Sequence, residues 1–363
     1  MNVGFATAFA SPLDGVEKVV RRYTIVGLFA LGAMLTAWQL STAQSARDAD
    51  FDGNGIVDIG DFILFAQAFG SDQSSFDLDG NGAVDFPDFI LFAKQFGEGA
   101  PEENITIMLP GDVKLAMVWI QPGKFLMGSP DSESGREDHE GPQHQVSITR
   151  GFYLGKYEVT QAQWESVMNT RPWIVGSTSE IPGREKYPAN RMRWPEVETF
   201  IRKLNEEAGE DVFRLPTEAE WEYACRAGTT SRWSFGEDST RIADFARYNE
   251  NSRRTIVRDD GSIAYGSPEV QETGSVFPNP WGLYDMHGNV RELVQDYYGP
   301  YSEPAKIDPM GPDGPTGSRS PSGSHVERGG SSFDPPEWIR SASRSVGWVP
   351  NAFTGFRLLM EYR

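Results

Sequence analysis

Thiols and imidazoles are scarce in this chain. Its 363 residues include one cysteine, Cys225, and four histidines. A lone cysteine excludes an intrachain disulfide, so core packing and bound ions must hold the fold. Free cysteine is among the most buried residue types, which places Cys225 in the core. Basic charge is also short: 33 Lys and Arg stand against 52 Asp and Glu, a net of −19. That balance argues against nucleic acid, whose binding needs basic surface to replace counterions. Long apolar runs are missing too. The run Ile25–Trp38 has 14 residues, whereas a membrane-spanning helix needs about 20. Lys18, Arg21 and Arg22 precede it and Ser41-Thr42-Ala43 follow. This is the layout of a secretory signal over residues 1–43, cleaved after Ala43. It implies a secreted, periplasmic or cell-surface protein with no membrane segment after cleavage; a retained, tilted anchor is the alternative reading.

What the chain does have is a duplicated acidic stretch. DFDGNGIVDIGDFILFAQAFG starts at Asp50, and DLDGNGAVDFPDFILFAKQFG starts 27 residues later at Asp77. Each places oxygen ligands at loop positions 1, 3, 5, 7, 9 and 12 and a glycine at 6, the calcium-loop spacing. The expected ligands are Asp50, Asp52, Asn54, the Ile56 carbonyl, Asp58 and Asp61, then Asp77, Asp79, Asn81, the Ala83 carbonyl, Asp85 and Asp88. Four carboxylates per loop suit hard calcium rather than a soft transition metal. Each loop runs into a helix with apolar Phe62, Leu64, Phe65 and Phe69, or Phe89, Leu91, Phe92 and Phe96, so two helices can pack face to face. Val57 and Val84, at loop position 8, are expected to form a short bridge between the loops. No entering helix precedes either loop, so residues 46–98 resemble the dockerin module, a small all-α pair of EF-hand loops. The resemblance implies a cohesin-like or cell-surface partner. Residues 99–104 read as a linker.

Residues 105–363 read as short strands, a few helices and much ordered loop. Met117–Met127 suggests two strands around Pro122-Gly123, and 152–159 another strand. Helices are expected from Thr160, from Pro195, and from Thr217, where Thr217 and Glu220 form a capping box. Seven ordered motifs run through this region: MVWIQPGKFLMGS from Met117, GFYLGKYEVTQAQW from Gly151, FRLPTEAEWEYACRAG from Phe213, NPWGLYDMHGNVREL from Asn279, RGGS from Arg328, RSASR from Arg340 and GFRLL from Gly355. In this order they resemble the formylglycine-generating enzyme, or sulfatase-modifying factor, family. The resemblance implies an α+β, C-type-lectin-like fold. It also implies activities from copper-dependent and pyoverdine-maturation oxidases to sulfoxide synthases and ligand-binding receptors.

The family's copper oxidases hold the metal with two cysteines shortly after RGGS. Here the first position falls on Asp334 and the second near Pro336–Trp338, so neither is a thiol. Copper is therefore not expected. Arg291 replaces a tryptophan of the family's oxygen pocket, and Ser331 matches its pocket serine. By position, the family's structural calcium site would use Asp285, Glu292 and the Gly288 and Val290 carbonyls. The leading expectation is a recognition or accessory domain whose peptide or glycan cleft is lined by Arg291, Ser331, Phe333, Asp334, Trp338 and Trp348. The alternative is a copper-independent oxidase or maturation factor with Ser331, Asp334 or Glu337 as catalytic candidates.

Overall fold

A computed structural model gives the fold. It describes residues 49–53, 56–97, 101–174, 183–258, 260, 262–314, 325–346 and 351–362. The signal segment 1–43, Asn54 and Trp348 lie outside the described residues. The chain divides into two compact units, Met1–Ala100 and Pro101–Arg363.

The small unit holds helices α1 (Ile59–Ala68) and α2 (Phe86–Gln95). Each begins at a loop aspartate. Asp58 caps α1 by accepting the Gly60 N–H at 2.6 Å, and Asp61 accepts the Asp58 N–H at 2.9 Å. Asp88 accepts the Asp85 N–H at 2.8 Å in the same way. One face of each helix is buried: Phe65 stacks on Phe92 at 5.4 Å between ring centres. Each ring, removed from water, stabilises the unit by about 1.5–3 kcal/mol. The apolar stripe is only half covered, because Phe62, Phe69 and Phe96 stay exposed. The expected bridge between Val57 and Val84 is not formed. Val84 instead exchanges hydrogen bonds with Gly70 and Ser71 beyond α1, while the Val57 carbonyl accepts Gly97 N–H beyond α2. Each loop is thus tied to the exit of the other loop's helix.

The large unit has fourteen described strands: β1 Asn104–Leu109, β2 Val113–Ile120, β3 Gly123–Met127, β4 His144–Ile148, β5 Phe152–Gly155, β6 Phe213–Arg214, β7 Arg253–Val257, β8 Ile263–Pro268, β9 Arg291–Tyr297, β10 Lys306–Ile307, β11 His325–Arg328, β12 Arg344–Val346, β13 Thr354–Phe356 and β14 Leu359–Glu361. Its helices are α3 Gln161–Met168, α4 Trp194–Ala208, α5 Glu218–Arg226 and α6 Ile242–Phe245. Strands order as β1-β2-β5-β14-β6, as β10-β4-β3, as β12-β11-β9-β13, and as the hairpin β7-β8. The expected α+β content is present. The strand expected over 152–159 stops at Gly155, because the chain turns there toward the Thr160 cap of α3.

The α5 helix is the hub. Thr217 accepts the Glu220 N–H at 3.2 Å and Glu220 accepts the Thr217 N–H at 2.7 Å, which closes the capping box. Trp221, Ala224 and Cys225 then pack with Val118, Ile120, Leu154, Val294, Val326 and Leu359. Helix α5 also buries charge. Glu222 lies between Arg226 and Arg328. Burial pushes its carboxyl up, but the two guanidinium groups outweigh that and hold it below the usual range. These pairs fix register rather than add much net stability. Breaking one would leave a bare buried charge.

Candidate functional site

The site is built on the sheet β12-β11-β9-β13 and on the loop after β11. Side chains alternate along β9. Glu292 and Val294 turn to the core, while Arg291 opens the strand on the other face, beside Glu327 of β11. Beyond β11, Gly329 and Gly330 both take positive φ. A Cβ on Gly330 would lie 2.5 Å from the Trp338 carbonyl oxygen, so only glycine permits this approach. The turn delivers Ser331 and Asp334 beneath Arg291.

These three side chains form one constellation. The Arg291 guanidinium makes a bidentate pair with Asp334, its Nε donating to Oδ2 at 2.9 Å. The Ser331 hydroxyl donates to the same Oδ2 at 2.8 Å and accepts the Phe333 N–H at 3.3 Å. Asp334 and Ser331 are buried. Arg291, at the position of the family's pocket tryptophan, thus has a carboxylate partner, and Asp334 takes both ends of the fork. Phe333 is exposed and packs on Phe353 at 5.3 Å between ring centres. Trp338 is 48% exposed. Glu337 is exposed, with its side chain beside Gly135. A cleft of about 300 Å³ opens next to the constellation. Arg291, Glu327, Trp338, Tyr298, His139 and Glu137 line it.

Reading the sequence missed Glu327, Glu137, His139 and Tyr298, which come from separate elements and share no spacing. Glu327, next to RGGS, was the one open to notice. It is buried, accepts the Thr354 hydroxyl at 2.9 Å, and burial pushes its carboxyl up.

No thiol belongs to this constellation. Cys225 is buried on α5, with its sulfur 3.7 Å from the Met286 carbonyl and 3.9 Å from His287 Nε2. Burial pushes its thiol up to about 12, so it is neither a nucleophile nor a ready ligand. His287 is also occupied. Its Nδ1 faces the Ile339 carbonyl at 2.8 Å, and its Nε2 accepts the Ser234 N–H at 3.1 Å. These partners set the neutral tautomer with the proton on Nδ1. Burial lowers its pKa to about 4.

The calcium expectations divide. In the small unit, carboxylate oxygens of Asp50, Asp52 and Asp61 lie within 4.8 Å of one another, as do those of Asp77, Asp79 and Asp88. Asp58 and Asp85 sit at helix caps, where the loop spacing also puts position 9. The residues present fit a hard cation. In the large unit, Glu292 is otherwise engaged. Arg357 donates to it from Nε at 2.9 Å and Nη2 at 2.7 Å, and the Trp221 indole N–H donates at 2.7 Å. Asp285 accepts the Gly274 N–H at 2.6 Å through Oδ2, and its buried Oδ1 has no hydrogen-bond partner among the described residues. The turn through Gly288 and Val290 is also held by Glu158, which accepts the Val290 N–H at 3.1 Å and the Asn289 amide at 2.7 Å.

The sheet-and-loop scaffold, with RGGS at its turn, defines a known class of domain. Residues 110–362 match the sulfatase-modifying factor enzyme 1-like domain, and the chain belongs to that family. It is 27% identical over 256 residues to the formylglycine-generating enzyme of Streptomyces coelicolor, covering 58% of this chain and 76% of that protein. Among solved structures, PvdO from Pseudomonas aeruginosa superposes with a TM-score of 0.54 at 26% identity, over 72% of this chain and all of that one. Treponema denticola variable protein 1 shares the fold, with a TM-score of 0.59 at 24% identity over the same share of this chain and all of its own.

Proposed function

We propose that the large unit is a ligand-recognition or accessory domain of this family, on a C-type-lectin-like scaffold, and not a copper-dependent formylglycine-generating oxidase. One observation carries the reading. Where the copper oxidases place a thiolate pair, this chain has the Arg291–Asp334–Ser331 constellation. A carboxylate already bound to a guanidinium is a poor ligand for soft cuprous ion. The adjoining cleft, with exposed Trp338 in its wall, suits a peptide or glycan. Anaerobic cuprous titration, followed by admission of oxygen in the presence of a cysteine-containing sulfatase peptide and a thiol reductant, tests this. The expected result is no stoichiometric copper and no formylglycine in the peptide by mass spectrometry; one copper per chain with peptide oxidation would defeat it.

A second reading is a copper-independent oxidase or maturation factor of the same family. Its carboxylate candidates are poorly placed, since Asp334 is ion-paired and Glu337 faces solvent. Oxygen consumption with candidate peptides separates the two readings.

The small unit, on this proposal, is a dockerin-like module that binds one calcium per loop in an exported protein and docks a cohesin-like or cell-surface partner. Among the described residues no helix is long and apolar enough to cross a membrane. Calorimetric calcium titration is expected to find two ions. A third would place one at Asp285, with the Gly288 and Val290 carbonyls.

A further inference from the structure

The cleft beside the constellation has a charge balance of its own. Two guanidinium groups line it, Arg291 and Arg344, and each is matched by a carboxylate outside the lining. Arg291 is held by Asp334. Arg344 donates to Glu218 from Nε and Nη2, both at 2.7 Å, and lies over the Tyr298 and Tyr301 rings at 4.6 and 4.1 Å. The two carboxylates that line the cleft have no such match. Glu327 makes no ion pair among the described residues; its Oε1 takes the Thr354 hydroxyl. Glu137 stands at the rim, half exposed, at the cap of the turn 138–140, with the His139 ring at 3.4 Å and no guanidinium paired to it among the described residues. The cleft wall as a whole is therefore negative although two arginines stand in it. Three aromatic side chains, Trp338, Tyr298 and His139, share the wall with Ser343, Ser345 and Val346.

Resting on the recognition reading above, we propose that this cleft takes a cationic side chain of a peptide, a guanidinium or ammonium group. Glu327 is its counter-charge at the floor, Glu137 guides it at the rim, and Trp338 lies against its stem. A buried carboxylate without its own cation is costly to ionise, and an incoming cation relieves that cost. The raised carboxyl of Glu327 agrees with this arrangement. Indole faces attract alkylammonium and guanidinium groups, so Trp338 adds to the same selectivity. An anionic group would meet two carboxylates, and both arginine forks are already satisfied.

The test compares Ac-Gly-Arg-Gly-NH2 with its norleucine and glutamate counterparts on the full-length protein. Binding is read from the Trp338 indole N–H signal in 15N NMR, assigned with Trp338→Phe. The arginine peptide is expected to shift that signal in the millimolar range, and the other two are not. E327Q keeps an acceptor for Thr354 and is expected to weaken the arginine peptide by about 10-fold, the loss of one charge-assisted contact. E137Q, at an exposed rim site that leaves the fold intact, is expected to weaken it by about 3-fold. If the glutamate or norleucine peptide binds as well as the arginine one, or if both glutamine variants bind it like wild type, the cationic assignment is wrong while recognition at the cleft stands. If no peptide shifts Trp338 up to about 10 mM, the cationic assignment is equally wrong, and the copper titration decides the broader reading on its own.

Discussion

At the residue scale, the decisive contact is between Arg291 and Asp334. The Asp334 side chain is 1% exposed and Arg291 24%. R291M would leave Asp334 buried without its cation, at an expected cost of about 3–5 kcal/mol in chemical denaturation. R291M combined with D334L removes both charges and is expected to regain most of that loss; a double variant no better than the single would show the pair to be incidental. Cys225 gives a second residue-level expectation. With its thiol buried and pushed up to about 12, native protein should resist iodoacetamide at pH 8, and denatured protein should take one label by mass spectrometry. Labelling of the native protein would reopen the question of a thiol near the site.

At the element scale, helix α5 and the turn after β11 do the positioning. The Glu218 N–H at the start of α5 donates to Asp296 Oδ2 at 2.7 Å. Burial, reinforced by the Glu218 charge, pushes the Asp296 carboxyl from 3.8 up to about 7. The folded chain therefore holds a proton that the unfolded chain releases near pH 4. This contribution to stability is complete below about pH 4, is lost as pH rises to about 7, and is constant above that. D296N keeps an acceptor for Glu218 and never ionises. It is expected to be more stable than wild type by about 1–3 kcal/mol at pH 8 and equal to it at pH 4, measured by thermal unfolding. The turn is less tolerant. G330A forces its methyl to within 2.5 Å of the Trp338 carbonyl at positive φ. It is expected to cost about 2 kcal/mol or more and to alter the Trp338 indole signal.

At the scale of the whole molecule, the two units differ in what holds them. The large one has a continuous apolar core threaded by buried arginine–carboxylate pairs. The small one has two short helices, a few buried rings and two acidic loops. Such a unit has little core with which to hold itself together, and calcium binding to the folded form alone should stabilise it by mass action. Millimolar calcium is expected to raise the unfolding midpoint of residues 49–97, seen by hydrogen exchange. Protection in α5 should not change. Equal protection with calcium and with chelator would remove the ion from the small unit.

Much of this was legible in the sequence, because it rests on local rules. Loop spacing marked Asp50, Asp52, Asp61 and their second-loop partners, and those carboxylates do gather. Thr217 and Glu220 announced the start of α5, since capping needs only four consecutive residues. RGGS marked the turn that carries Ser331 and Asp334, and no thiol follows it in the sequence. The tertiary structure alone decided how charges are matched. Arg291 and Asp334 are 43 positions apart, Arg357 and Glu292 are 65 apart, and no spacing rule links them. For that reason the sequence does not show which carboxylate Arg291 meets, and by position Glu292 reads as a calcium ligand rather than as the partner of Arg357. The cleft's aromatic and acidic lining is likewise a product of sheet order, which brings β9, β11 and β12 side by side. Periodicity fixes which face of a strand a residue takes; only chain folding fixes which charge it meets there.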